Sequence, residues 1–198
     1  MLGLDASTST IGIGIIEFDE NYRSKDNPFD KSQLIYHEYY IPDKSNGIIH
    51  MLLTTREYIQ KLLLKYQIDV CVIEDYARFM KGKSSAATII PLAILNVTLR
   101  LLCFDMGILQ DALNVRSIRS ALKINKQTPK KEDIPDFLVH HLKLDEFPYY
   151  YKLNRKKEKI IRKESYDVAD GVAVALSWVI LRDRVVRNKK KKQRKKRL

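Results

Sequence analysis

Four carboxylates stand where apolar runs end. Asp5 follows Met1, Leu2 and Leu4 and precedes a polar turn, Ala6-Ser7-Thr8-Ser9-Thr10. Glu74 closes the apolar run Asp69 to Ile73, and Asp167 and Asp170 open the segment SYDVADGVAVAL. On a helix that three-residue spacing puts both acids on one face, roughly 5–6 Å apart. Each acid has a bland reading by itself: Asp5 as a turn residue, the Asp167/Asp170 pair as charges favoured at a helix N-terminus. Together they ask for more. A carboxylate among apolar neighbours is costly unless paired, and adjacent like charges raise each other's pKa. A shared cation answers both problems, and an all-oxygen ligand set suits Mg²⁺ or Mn²⁺ rather than zinc. Two such ions can activate water and stabilise the leaving oxygen of a phosphodiester.

The elements that must position these acids follow from pattern. Met1 to Ile16 reads as two strands joined by a tight polar turn. Gly3, Gly12 and Gly14 lie inside those strands, where glycine is unfavourable unless something approaches the backbone closely. Leu34 to Ile41 gives a third strand. A helix from about Gly47 to Tyr66 follows, capped by Ser45 or Asn46 and striped at helical spacing. Asp69 to Ile73 is a buried central strand, and Tyr76 to Ser85 is a loop. Ser84 or Ser85 then caps a helix to about Met106 that is apolar on several faces, hence central or covered by a second subunit. Gln110 to Val115 is a fifth strand, Arg116 to Ile124 a short basic helix, and Lys131 to Leu144 a helix with Pro135 in its first turn. Asp145 to Glu164 carries three consecutive tyrosines and a basic cluster. Ser165 caps the last helix. The order predicts one mixed α/β layered domain.

Composition sets the limits. The chain has 198 residues and a net charge of +12, a length that suits one domain with one sizeable core. Nine of the positive charges fall in Arg187 to Leu198, RNKKKKQRKKRL, with no acid among them. The remainder therefore carries +3. We expect a domain over residues 1–186 and a disordered basic tail over 187–198 that attracts phosphates or serves as a nuclear-import signal. No apolar stretch is expected to reach the roughly 20 residues that span a bilayer, and no secretory signal is read at the N-terminus. Cys71 and Cys103 read as small buried hydrophobes. That usage fits an intracellular setting, and the tail adds a nuclear or viral-replication compartment as an option.

The segments LGLDASTSTIGIGII, VIEDYARFM and SYDVADGVAVAL, in this order, resemble the RuvC family of Holliday-junction resolvases within the RNase H-like superfamily. The family pattern is Asp after the first strand, Glu after the fourth, and a D-x-x-D pair opening the last helix. Asp5, Glu74, Asp167 and Asp170 match it one by one. The resemblance implies a mixed five-stranded sheet with helices on both faces. It also implies a homodimer that cuts branched DNA with Mg²⁺, for which Mn²⁺ substitutes, at two ions per site. On this pattern Asp5 bridges the ions, Glu74 and Asp170 add ligands, and Asp167 is a ligand or water-orienting base. Lys131 falls on a family lysine near the active site, and Arg119 on a second one, with Arg in place of Lys. Phe79-Met80 resembles a loop dipeptide whose ring contacts bases, and Arg78, Lys81 and Lys83 of the same loop are expected on DNA. Asp145 to Glu164 and the tail have no counterpart in compact bacterial members, which suggests a viral, phage or organellar branch.

We therefore expect a metal-dependent endonuclease resolving four-way junctions, with no small-molecule cofactor and no membrane partner. One alternative is another RNase H-like nuclease acting on RNA or flaps, although such enzymes usually lack the full D-x-x-D pair. A second is a non-catalytic junction-binding scaffold, against which all four acids are present. An actin-like ATPase shares the phosphate-loop look of LGLDASTSTIGIG but needs a second domain of similar size.

Overall fold

In the computed structural model, residues 1–18, 32–75, 85–124 and 126–195 are described, with side chains as far as Arg182. The first hairpin pairs β1 (Leu2–Ala6) with β2 (Ile11–Phe18), antiparallel. β3 (Ser32–Tyr40) adds antiparallel to β2, with a register shift between Ile15 and Ile16. On the other side of β1, β4 (Val70–Glu74) and then β5 (Leu109–Leu113) run parallel. The sheet order is β3-β2-β1-β4-β5, the mixed five-stranded sheet that the pattern predicts.

Alternation along the strands divides the side chains between two faces. Leu2, Leu4, Ile11, Ile13, Ile15, Cys71 and Ile73 enter one core, with α1 (Gly47–Lys65) and α2 (Ala86–Asp105). Val70 and Val72 enter the other. That second core is closed by α3 (Val115–Ala121), α4 (Ile134–Leu142) and α5 (Glu164–Lys195). Gly3, Asp5, Gly12, Gly14 and Glu74 fall on this α5 side by the same count.

The glycines there let a helix lie on the sheet. A Cβ on Gly12 would stand 1.7 Å from the backbone oxygen of Asp167, and one on Gly14 2.5 Å from Cα of Val172. Gly171 answers from the helix, its own Cβ falling 2.4 Å from the Gly12 oxygen. Backbone against backbone leaves no room for any side chain, and α5 packs on β2 and β1 accordingly.

Four details differ from expectation. Ser165 does not cap α5: the helix starts at Glu164, and the Ser165 hydroxyl donates to the Tyr150 carbonyl at 3.1 Å while accepting its N–H at 2.8 Å. Ser45 and Asn46 make no side-chain cap on α1, which begins at Gly47 with φ of +83°. Lys131 precedes α4 instead of starting it, because Asp133 accepts the Lys130 N–H at 3.0 Å and closes a turn over those residues. Finally, α2 is 20 residues long and apolar enough to cross a membrane by length and composition, so the expectation that no stretch reaches that length does not hold. It does have a core face: Leu95, Asn96, Leu99, Leu102 and Cys103 are buried.

Candidate active site

Asp5 sits on β1 one residue beyond the Leu4–Ile73 pairing, so Glu74 is its neighbour at the same ends of two parallel strands. The helix above supplies Asp167 and Asp170 from its first two turns. One carboxylate oxygen each from Asp5, Asp167 and Asp170 lie within 4.8 Å of one another. Glu74 does not belong to that triad but shares its field. Lys131 reaches in from the turn before α4, its Nζ 3.3 Å from Oδ1 of Asp167 and 3.0 Å from Oδ2 of Asp170.

The electrostatics are those of a site short of positive charge. Burial first, then Glu74 and Asp170, push the Asp5 carboxyl up to about 8, with Lys131 acting in the opposite sense. Burial and then Asp170 raise Glu74 to about 7, offset in part by Lys131 and Arg119. Asp170 is raised by burial even with the Lys131 ammonium beside it. For Lys131, burial opposes the charge, yet Asp170 and Asp167 outweigh it and hold the ammonium above its ordinary value. One lysine does not neutralise this cluster, and a divalent cation among its oxygens fits the donor set.

Arg119, on α3, has its Nε buried with no hydrogen-bond partner among the described residues and acts electrostatically on Glu74 and Asp170. Its helix is fixed by the Asn114 side chain, which accepts the Ser117 N–H at 2.9 Å, and by the Ser177 hydroxyl of α5, which donates to the Ile118 carbonyl at 3.1 Å. A buried donor left unpaired is costly.

No protein-family model matches the chain, and no curated protein matches it either. Solved structures do. Thermus thermophilus RuvC in complex with a Holliday junction substrate superposes with a TM-score of 0.66 at 13% identity, covering 90% of this chain and 92% of that one. A second structure of Thermus thermophilus RuvC gives 0.65 at 14% identity over the same shares. The yeast mitochondrial Holliday junction resolvase Ydc2 gives 0.61 at 15% identity, covering 90% of this chain and 77% of that one. The chain has the RuvC fold.

Within this RuvC fold the structure brings together five of the residues singled out from sequence, Asp5, Glu74, Lys131, Asp167 and Asp170, with Arg119 beside them. Arg78, Phe79, Lys81 and Lys83 lie outside the described residues. Sequence reasoning missed Asn96: its Nδ2 donates to the Glu74 carbonyl at 3.1 Å from the middle of α2. The signal was present in the sequence, a lone amide on the apolar inner face of that helix.

Proposed function

We propose that this protein is a metal-dependent DNA endonuclease that resolves four-way junctions. The observation that carries the proposal is the convergence of Asp5, Asp167 and Asp170 within 4.8 Å, with Lys131 on two of them, at the helix-on-sheet contact of a RuvC fold. Asp5, Asp167 and Asp170 would hold the ion, with Glu74 completing the oxygen set. Mg²⁺, for which Mn²⁺ would substitute, is the ion such ligands suit. When bound, it supplies an activated water and charge neutralisation at the scissile phosphate.

The chain's own residues do the rest. The carboxylates fix the position of the reacting phosphate through the charge they gather. Asn96 holds the Glu74 backbone in place, and Lys131 and Arg119 offer positive charge to the phosphate oxygens as charge develops there. Branched DNA is the substrate this reading assigns.

A homodimer completes it. Ile90, Ile94, Val97, Leu101 and Phe104 of α2 are exposed, and they recur at intervals of four, three, four and three residues. That is the spacing of an a/d seam, which buries itself against a matching helix. A two-fold axis along α2 would set two active sites on opposing strands of one junction.

The test is a cleavage assay on a four-way junction, a flap, linear duplex and an RNA–DNA hybrid, with Mg²⁺ or with EDTA. The expected result is paired incisions in the junction, in Mg²⁺ only. Turnover in EDTA would sink the metal mechanism, and preference for the hybrid or flap would move the substrate to the alternative nuclease.

A further inference from the structure

Between α4 and α5 the chain builds an arm that the active site does not use. β6 (Tyr151–Leu153) pairs antiparallel with β7 (Lys159–Ile161) as a separate two-stranded sheet. All six strand residues are exposed. A two-stranded ribbon is marginal by itself, and this one is pinned at both ends. At its base, the Ser165 hydroxyl is bonded to both backbone groups of Tyr150, and the Arg162 N–H donates to the same carbonyl at 2.8 Å, so the Tyr150 backbone is clamped from two sides. The Tyr150 ring meets Tyr39 of β3 edge-on, centroids 5.0 Å apart. The base also lies close in sequence to the site: α5 begins three residues before Asp167.

At the tip, the Asn154 side-chain oxygen accepts the N–H groups of Lys156 and Glu158, each at 2.9 Å. Backbone bonds join Asn154 N–H to Glu158 (3.0 Å) and Lys157 N–H to Asn154 (3.0 Å). Lys157 adopts φ of +63°, as in a three-residue hairpin loop closed by a left-handed residue. That position favours Gly or Asn. Here it carries a cation, the third of Arg155-Lys156-Lys157.

Over residues 152–163 there are seven Lys or Arg and one acid, Glu158. Asn154 Nδ2 engages that acid at 2.7 Å. Lys152, Arg155, Lys156, Lys157 and Lys159 form no ion pair among the described residues. The Lys159 ammonium lies 3.9 Å from the centroid of the Tyr151 ring, so the apolar side of the ribbon also presents a charge, and the ring holds that charge in place. Fixed, uncompensated positive charge of this density is repulsive in isolation and favourable against a polyanion.

We propose that the β6–β7 hairpin is a phosphate-gripping arm for the DNA substrate, tracking the sugar–phosphate backbone of a duplex arm beside the active site. From the clamp at Tyr150 to Asn154 the ribbon spans roughly 13 Å at the strand rise. That is about four phosphate spacings along one strand. The arm positions DNA without reading its sequence. This inference rests on the nuclease reading for the identity of the polyanion but not for the arm's affinity.

Two variants of the full-length protein test it: a tip variant, Arg155→Gln/Lys156→Gln/Lys157→Asn, and a stem variant, Lys152→Gln/Lys159→Gln. Binding to a four-way junction and to linear duplex is measured from low to moderate salt, with melting temperature and Mn²⁺ binding as controls. Loss of three phosphate contacts lowers the slope of log affinity against log salt by about 3, and of two by about 2. Affinity at moderate salt should drop on the order of tenfold for both DNAs, with melting and Mn²⁺ binding unchanged. If both variants bind both DNAs as wild type does, with the same slope, the arm is refuted. A wild type that binds DNA through the arm but never cleaves it keeps the arm and removes the nuclease reading. A wild type that binds no DNA removes both.

Discussion

A carboxyl that keeps its proton up to about pH 8, as Asp5 does, cannot ligate a cation until the proton leaves. Its ordinary value is 3.8 and that of Glu74 is 4.5, rising to about 7 in the fold. Raised folded-state values mean that the native state binds more protons than the unfolded chain between pH 4 and 8. The contribution of these groups to stability is therefore full at low pH and is lost as pH rises through about 7 and about 8. In EDTA the melting temperature should fall across that window, and Asp5→Asn should flatten the fall by removing the most strongly shifted group. Added Mg²⁺ should raise melting more at pH 8.5 than at pH 5.5, because protons compete with it for the same oxygens. A flat melting profile in EDTA together with no response to Mg²⁺ at pH 8.5 would contradict the cluster as described. In activity, Asp5→Asn should abolish cleavage and leave junction binding largely intact, since it removes a ligand and no phosphate-contacting cation.

The placement of that cluster depends on elements that touch through their backbones. Gly12→Ala would set a methyl group 1.7 Å from the Asp167 oxygen, a clash that no rotamer change relieves. Either α5 moves or β2 does. We expect a loss of about 3 kcal/mol or more, the upper range for overpacked cores, and weakened Mn²⁺ binding in whatever remains folded. Denaturant titration and a metal titration read the two effects separately. Unchanged values in both would mean that α5 does not rest on Gly12. Much of this level was legible in sequence. Glycines inside strands announced a close approach, and the acids at strand ends announced where it happens, because alternation with period two leaves little freedom in which face a residue takes. What escaped was decided by competition for hydrogen bonds. Ser165 has the composition of a helix cap, yet its hydroxyl is bonded to Tyr150 in a segment fifteen residues earlier. Strands of three exposed residues, as in β6 and β7, have no buried face and so leave no alternation to read. Lys131 and Asp133 carry helix-compatible residue types, and only the side-chain bond to the Lys130 N–H shows that the helix begins later.

At the scale of the whole molecule, two features extend beyond the acidic cluster. The terminal run Arg187 to Leu198 concentrates nine charges, and deleting it should weaken binding to junction, duplex and single strand by similar factors while lowering the salt slope, because phosphate contacts carry no sequence information. Altered cleavage-site choice at constant affinity would instead make it a recognition element. The other feature is α2, whose outer stripe peaks at Phe104, 78% exposed, with Leu101 at 53%. Its inner face packs on the sheet and reaches Glu74 through Asn96, so a partner seated on the stripe would bear on a helix that touches the site. Leu101→Glu/Phe104→Glu places two carboxylates in the proposed seam and disturbs no core residue. In sedimentation the wild type should run as a dimer and the variant as a monomer, with the monomer's melting temperature no lower than expected for exposed substitutions. On a supercoiled plasmid with an extruded cruciform, a dimer cuts both strands within one encounter and gives linear product, whereas a monomer gives nicked circles. A variant that sediments like wild type would exclude the stripe as the interface. A monomeric variant that still linearises the cruciform would show that paired cutting does not need the α2 dimer.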